Sequence, residues 1–489
     1  MFQPSTPPTA NPINSKRPIH FIGLGGVGMS ALALILADRG HLISGSDQQI
    51  NPSIRQLIEK GVKFFKGQRD SNIHQLCKTY EISPLIIKSS AIPLNNPELK
   101  AAENLRLEIW HRSDLLAKLI KEQTSIAVGG SHGKTTTSTF ISTLLEKANQ
   151  GPTAAIGGYV PCFGSNSHVG NGEILVAEAD ESDGTLVKFQ ANCSVITNLE
   201  LDHTDHYPNL NELIKTMQKF AEGSKSLLAN YDCRILRDNF KASAWWSINN
   251  IEDVDFAAIP IALYGDQTIA DFYEKGKLIS RIQIPVPGLH NLSNALGAIS
   301  ACRLQNIPFK EIKKHLGELQ TPGRRFEFRG NWNGRQIVDD YAHHPSEVLA
   351  TISMAKIMIK SKKTIFDNPP ERLVVVFQPH RYSRMKEFIQ EFASVLSKVD
   401  CLFLAPVYSA GEKPINNANS QALKQAINKL NPNVPIFLGK NLETLTTSIK
   451  KYSRNNDLIL VIGAGDINNI WNHLNEKNDL EEWCSTMAA

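Results

Sequence analysis

An α/β protein of three domains, each with a mainly parallel sheet, is what this sequence predicts, and three observations predict it. The chain has 489 residues, too many for one hydrophobic core and enough for roughly three domains of about 100–200 residues each. Short apolar runs of strand type alternate with segments whose apolar residues recur at three- and four-residue spacing. Two of the strand-to-helix junctions are glycine turns, Gly23–Gly28 and Gly130–Gly133. In doubly wound sheets such turns approach phosphate groups at a helix N-terminus.

Composition narrows the class. Hydrophobic residues make up 42% and charged residues 20%, an ordinary globular balance. The net charge of +4 comes without a Lys/Arg block, so no nucleic-acid partner is expected. No run of 18 apolar residues is present, so no membrane insertion is expected. Seven scattered cysteines (77, 162, 193, 233, 302, 401 and 484) form no C-x-x-C pair. They read as free thiols of a reducing, cytoplasmic compartment, and none suggests a zinc site. Residues 1–17 lack the apolar stretch of a signal peptide and are rich in Pro, Ser, Thr and Asn, which predicts a disordered tail.

The first domain, 18–122, opens with a strand (Ile19–Ile22), the glycine turn, a helix (about Val27–Arg39) and a strand (Leu42–Ser44), with Gly40 at the helix C-terminus. Residues 84–92 and 105–110 read as later strands, giving a Rossmann-like sheet. The second domain, 123–322, opens on the strand near 125, with further strands at 173–180, 193–199 and 226–230. Residues 209–223 have helical spacing, 271–288 read as an antiparallel pair, and 290–305 as a helix capped by Asn or Ser. This is a P-loop-type ATPase arrangement with a mainly parallel sheet. The third domain, 323–489, has strand candidates at 335–342, 372–378, 401–407, 434–438 and 457–465, a second Rossmann-like α/β sheet, with a polar surface loop at 361–371. No fixed-period repeat is present.

The motifs carry the chemistry. Gly23-Leu-Gly25-Gly26-Val27-Gly28 fits G-x-G-x-x-G, with Asp47 ending the next strand. It suits NAD or another diphosphate such as a UDP-sugar. Gly130-Ser131-His132-Gly133-Lys134-Thr135 is a shortened P-loop, since Val128 stands where the full motif has its first glycine. It still offers stacked N–H donors, a lysine for the β/γ-phosphates and a hydroxyl for Mg²⁺. Gly463-Ala464-Gly465-Asp466 is either a third phosphate turn or a ligand-free tight turn. Glu178, Asp180, Glu181 and Asp183 follow a buried strand, where carboxylates suit a divalent ion. Asp202, His203, Asp205 and His206 form a second cluster able to hold an ion. "DDYAHHPSE" (339–347) and "FQPHRYSRMKE" (377–387) are dense polar sets, with Arg381 and Arg384 on one helix face.

In order along residues 17–470, the glycine turn running into "GMSALA", then "GSHGKTTT", "EADESDG", "TNLELDHTDHY", "PGLHNLSNALGA", "GRRFE", "DDYAHHPSEV", "FQPHRYSR" and "VYSAGEKPI" resemble the Mur ligases. The first glycine turn together with "DDYAHHP" and "FQPHRYSR" is most similar to the alanine-adding branch. The resemblance implies an ATP-dependent ligase that joins L-alanine to the lactyl carboxylate of UDP-N-acetylmuramate through an acyl phosphate. It places the UDP-sugar at Gly23, Gly25, Gly26, Val27 and Gly28 with Asp47, Ser89 and Ser90. It places ATP on Gly130, Ser131, His132, Gly133, Lys134, Thr135 and Thr136, with His290 and Asn294 on the adenine side and Arg324 and Asp340 as further anchors. Thr135, Glu178 and His203 would ligate Mg²⁺, or Mn²⁺ in its place. Lys134, His203, His344, Arg381 and Arg384 would surround the reacting centre. A monomer or weak homodimer is expected.

Departures are small: Ser131 stands where Thr is commoner, and "TPGRR" keeps both arginines. The carbamylated lysine of several relatives has no clear counterpart, Lys219 being the nearest in sequence. Three other readings compete: an NAD-dependent oxidoreductase, a non-enzymatic ATP switch, and a ligase that joins the same UDP-sugar to a tripeptide. Lys134→Ala is expected to abolish turnover while leaving the fold intact, because the role is electrostatic. Phosphate release alongside a circular dichroism spectrum checks this, and retained turnover counts against the site.

Overall fold

The structure is a computed structural model and describes residues 16–204, 206–361, 364–366 and 368–475. The tail before residue 16, Asp205, part of the loop at 361–371 and Cys484 lie outside the described residues. Arg17, expected in the tail, is tied down: its guanidinium pairs with Glu108 at 2.5 Å and donates to the Ser83 carbonyl.

Three sheets follow one another along the chain. The first has five parallel strands in the spatial order Lys63–Lys66, Ile43–Asp47, Ile19–Ile22, Leu85–Lys88, Ile109–His111. This is a doubly wound order, and its strand order reverses beside Ile19–Ile22, where the glycine turn sits. The helix Val27–Asp38 is buried almost all round, from Met29 to Leu36. It packs against the second unit's strands Thr153–Val160 and Ser165–His168, as well as helices of its own unit. A helix covered on several sides needs apolar residues on several faces. It ends with Gly40 at φ 80°, the Gly40 N–H on Ala37 and the His41 N–H on Leu36, a Schellman closure.

The second sheet has ten strands, parallel in the middle and antiparallel at both edges. Its order is Lys277–Ile284, Thr268–Glu274, Phe256–Leu263, Ala244–Ser247, Ser226–Asn230, Cys193–Ile196, Thr124–Gly129, Ile174–Glu178, Thr153–Val160, Ser165–His168. The central strands are continuous apolar runs because helices cover both faces. The predicted pair at 271–288 is the antiparallel hairpin 268–284, turned by Lys275 (φ 48°) and Gly276 (φ 74°). The helix expected at 290–305 runs Leu289–Leu304, and its cap is a correction. Gly288 at φ 95° precedes it with no side-chain cap, and Asn291 donates back to the Pro287 carbonyl instead. Gly297 on this helix lets it sit against Trp246, where an added Cβ would lie 3.2 Å from the indole.

The third sheet runs Glu327–Trp332, Arg335–Asp340, Asp457–Ile462, Arg372–Phe377, Cys401–Leu404, Ile436–Leu438, parallel after the first antiparallel pair. Asn333 (φ 44°) and Gly334 (φ 73°) make that first hairpin, an Asn-Gly turn of the kind that matches strand twist.

Gly130 is held at φ 124°, where an added Cβ would lie 2.3 Å from Thr197 Oγ1 and 2.9 Å from the Asn198 carbonyl. Gly130→Ala should therefore destabilise by about 2 kcal/mol or more. Gly276→Ala, with φ 74° but open space around it, should cost about 1 kcal/mol. Paired denaturation midpoints of the two variants check this, and equal shifts would contradict it.

Candidate active site

The shortened P-loop follows the strand Thr124–Gly129 and opens the helix Lys134–Lys147. Its turn is tied to the neighbouring strand end. The Ser131 N–H donates to the Asn198 carbonyl, the His132 N–H to Asn198 Oδ1, and Ser131 Oγ to the Glu200 carbonyl, each at 2.9 Å. Gly133 at φ 80° lets the turn meet Asn294, whose Oδ1 would be 2.5 Å from an added Cβ. The Lys134 ammonium donates to the carbonyls of Gly130 (2.6 Å) and Ser131 (3.1 Å) and to Glu181 (3.0 Å). Burial works against this charge, but Glu181 and Asp180 outweigh it and raise the Lys134 pKa. Burial pushes Glu181 up to about 7 even beside the lysine.

The acidic turn after Ile174–Glu178 faces this loop. Glu178 accepts from Thr135 Oγ1 at 3.0 Å and from the Gly157 N–H at 2.8 Å. Burial raises the Glu178 pKa against the pull of Lys134, the situation of a carboxylate with too little positive charge around it. His203, in the left-handed region at φ 53°, has Nε2 at 3.7 Å from Glu181 and 4.0 Å from Asp202. A hydroxyl, a carboxylate and an imidazole on one rim suit a hard divalent ion completed by phosphate oxygens. Asp202 has another partner: Arg384 of the third unit donates Nη2 and Nε to its Oδ1 at 2.6 and 3.2 Å, both side chains being buried. Although burial alone would raise it, Arg384 holds the Asp202 pKa well below the usual carboxylate range.

A cavity of about 430 Å³ opens where the three units meet. Val27, Gly28 and Arg112 line it from the first unit, Lys134, Thr135 and Glu178 from the second, and Arg381 and Arg384 from the third. A second cavity of about 260 Å³ adjoins it, sharing His132, Gly133, Arg325 and Glu347. Thr136, His290, Asn294 and Asp340 lie here. Burial and Arg325 push His290 down to about 4, and burial raises Asp340 to about 6.

Some expected residues lie elsewhere. Arg324 points into the third sheet, its Nε on Asp339 at 3.2 Å and its Nη2 on the Gly463 carbonyl at 2.8 Å, and it lines neither cavity. Gly25 gives its N–H to Asp47 at 2.8 Å, and Asn51 donates to the Gly25 carbonyl, so these residues shape the first glycine turn. Ser90 bridges the units, its hydroxyl on Asp183 at 2.9 Å and beside His111 at 3.0 Å. The Ser89 carbonyl accepts from Ile92. His344 caps the helix Pro345–Lys360 and packs on His132 and Phe388. At the Gly463–Asp466 turn an added Cβ on Gly465 would lie 2.4 Å from Gln378 Oε1, so packing accounts for that glycine, while Ala464 lines the larger cavity. Lys219 is exposed in the last turn of the helix Leu210–Glu222.

Residues with no assigned role also appear. Arg112 starts the helix Arg112–Glu122 and pairs with Asp180 at 3.1 Å. No sequence motif marks it. Arg325 sits beside the expected Arg324 in the same motif and pairs with Glu347 at 3.4 Å. Glu347, at the third position of its helix, also lies 3.4 Å from His132 Nδ1 and accepts from the His343 N–H at 3.0 Å. Tyr341, His343 and His380, all inside the dense polar sets, line the larger cavity too.

Comparison with known proteins fits this geometry. Residues 18–124 match the Mur ligase family catalytic domain, 128–302 its middle domain, and 324–465 its glutamate ligase domain. The chain belongs to the Mur ligase family. A UDP-N-acetylmuramate–L-alanine ligase of Prochlorococcus marinus (strain MIT 9313) is 56% identical over 482 residues, 99% of each chain. One from Synechococcus sp. (strain CC9311) is 53% identical over 96% of this chain and 97% of its own. Among solved structures, the UDP-N-acetylmuramate–alanine ligase of Thermotoga maritima aligns with TM-score 0.77 at 25% identity, over 95% of this chain and 99% of its own.

His132 supplies a pH test of how the third unit is held. Burial would lower its pKa, but Glu200 and Glu347 outweigh it and raise it to about 9. A raised folded pKa contributes stability that is fully present below the unfolded value of about 6.5 and is lost as pH rises through about 9. Relative to His132→Gln, the wild type should lose up to about 3 kcal/mol between pH 6 and 10. Denaturation midpoints of both proteins across that range measure it, and parallel curves would contradict it.

Proposed function

We propose that this Mur ligase joins L-alanine to the lactyl carboxylate of UDP-N-acetylmuramate at the expense of ATP, giving the amide, ADP and phosphate. The observation that carries this reading is the larger cavity, where a phosphate-binding lysine, a metal-type hydroxyl–carboxylate pair and arginines from the two outer units face one space. The 52–56% identity to alanine-adding relatives over nearly the whole chain supports the substrate choice.

A carboxylate is a poor electrophile, so it is first phosphorylated. In this proposal the triphosphate lies along the Gly130–Thr135 turn with its base in the smaller cavity beside His290 and Asn294. Lys134 leaves Glu181 and carries its charge to the γ-phosphoryl group, offsetting repulsion between two anions. The Thr135 hydroxyl and Glu178, 3.0 Å apart, with His203 on the same rim, fit Mg²⁺, or Mn²⁺ in its place. Such an ion supplies charge neutralisation on the transferring phosphoryl oxygens. The UDP-sugar enters from the Gly23–Gly28 side, with Val27 and Gly28 at the cavity wall. Arg381 and Arg384 hold alanine and the acyl phosphate, whose carbonyl the amine attacks. The tetrahedral intermediate then collapses to the amide and phosphate. Enclosure by three units keeps water from the acyl phosphate.

The tripeptide-joining alternative shares this machinery. The oxidoreductase alternative leaves the P-loop and both acidic turns without a role. With UDP-N-acetylmuramate, ATP and Mg²⁺ supplied, phosphate release should be stimulated by L-alanine and not by the tripeptide, with a new amide in the product. Arg381→Ala should raise the KM for alanine or lower kcat by tenfold or more while changing the KM for ATP less. Unchanged alanine kinetics would remove Arg381 from the site.

A further inference from the structure

Away from the Thr135–Glu178 pair, a second group of metal-type donors joins the second and third units. His132 Nε2 lies 3.3 Å from Glu200 Oε2, and His344 Nδ1 lies 3.4 Å from the same oxygen. The three donor atoms are mutually within 4.8 Å. The two nitrogen–oxygen separations match the edges of a tetrahedron, about 3.3–3.4 Å, around an ion bonded at about 2.0–2.1 Å. His132 Nε2 is buried and makes no hydrogen bond despite the nearby carboxylate.

The surroundings are those of a metal site as well. Histidines that ligate a metal usually give their other ring N–H to a carboxylate, and His132 Nδ1 faces Glu347 Oε1 at 3.4 Å. Glu200 is oriented by a hydrogen bond from the Ser346 hydroxyl. His344 Nδ1 has only a long 3.4 Å contact with the Ser346 N–H to give up. Glu200 is 41% exposed, which leaves a path for entry. Two imidazoles and one carboxylate with an open fourth position favour a borderline ion such as zinc over magnesium.

We propose that His132, Glu200 and His344 bind a divalent transition-metal ion of the zinc class, separate from the ion used with ATP. In its absence a proton on His132 balances the two carboxylates, and the ion takes that proton's place. Because His132 belongs to the P-loop and His344 to the third unit, the bound ion joins the second and third units.

Full-length, nucleotide-free protein titrated with Co²⁺ tests this independently of ligase activity. One equivalent should bind with tetrahedral ligand-field absorption and without a thiolate charge-transfer band, and Zn²⁺ should displace it. Glu200→Gln and His344→Gln should each weaken binding at least tenfold, and Glu347→Gln about tenfold, with circular dichroism reporting that each variant is folded. Cys162→Ser, at the exposed thiol, should bind as the wild type does. No stoichiometric binding by the wild type, a thiolate band, or folded variants that bind as tightly as the wild type would each overturn the proposal; the wild-type spectrum decides even if a variant fails to fold.

Discussion

The buried Arg384–Asp202 pair is the contact on which the rest of the site depends. It crosses from the third sheet's unit to the loop after Cys193–Ile196. Desolvating both charges is costly, and a pair of this kind adds little net stability over an apolar contact. What it does enforce is geometry, because either charge left alone in that position would cost about 3–5 kcal/mol. Arg381, three residues earlier, is thereby placed on the wall of the larger cavity. Arg381 itself sits at φ 67°, capping its helix.

A second seam works alongside it. Glu347 takes contacts from His132, Arg325 and the backbone of its own helix start. It lines both cavities, so the two share a wall. The helix carrying Glu347 begins with a capping box in which His344 and Glu347 are the two partners. The residues that start the helix are thus the residues that meet the P-loop. Local helix chemistry and closure of the site use the same atoms.

Charge in the central cleft follows from this enclosure. Lys134 faces Glu178, Asp180 and Glu181 at close quarters, and burial raises two of those three carboxylates. Around Lys134 the acidic turn holds more carboxylate than cation, the electrostatic condition under which buried carboxylates favour a positive partner. From the first unit, Arg112 answers the same acidic turn through Asp180. All three sheets therefore contribute charge to one space that none of them encloses alone.

The strand runs, both glycine turns and the acidic turn after Ile174–Glu178 were legible in the sequence, because each depends on neighbours in the chain: apolar runs for buried strands, and glycine where φ is positive. The Asn333–Gly334 hairpin carries an equally local signal, an Asn-Gly pair with positive φ at both residues. The short strands Thr153–Val160 and Ser165–His168 did not stand out, since a Gly157-Gly158 pair interrupts one and polar residues fill the other. Tertiary structure alone decided that Arg325 and not Arg324 reaches the cavities, because adjacent side chains leave the backbone in different directions and only the facing units settle which one is enclosed. It alone brought Arg112, Glu200 and Glu347 to the site. Arg112 meets Asp180 68 positions away, Glu200 accepts from Ser346 146 positions away, and Glu347 faces His132 across the same long range of chain; pairing over such separations leaves no periodic trace in the sequence.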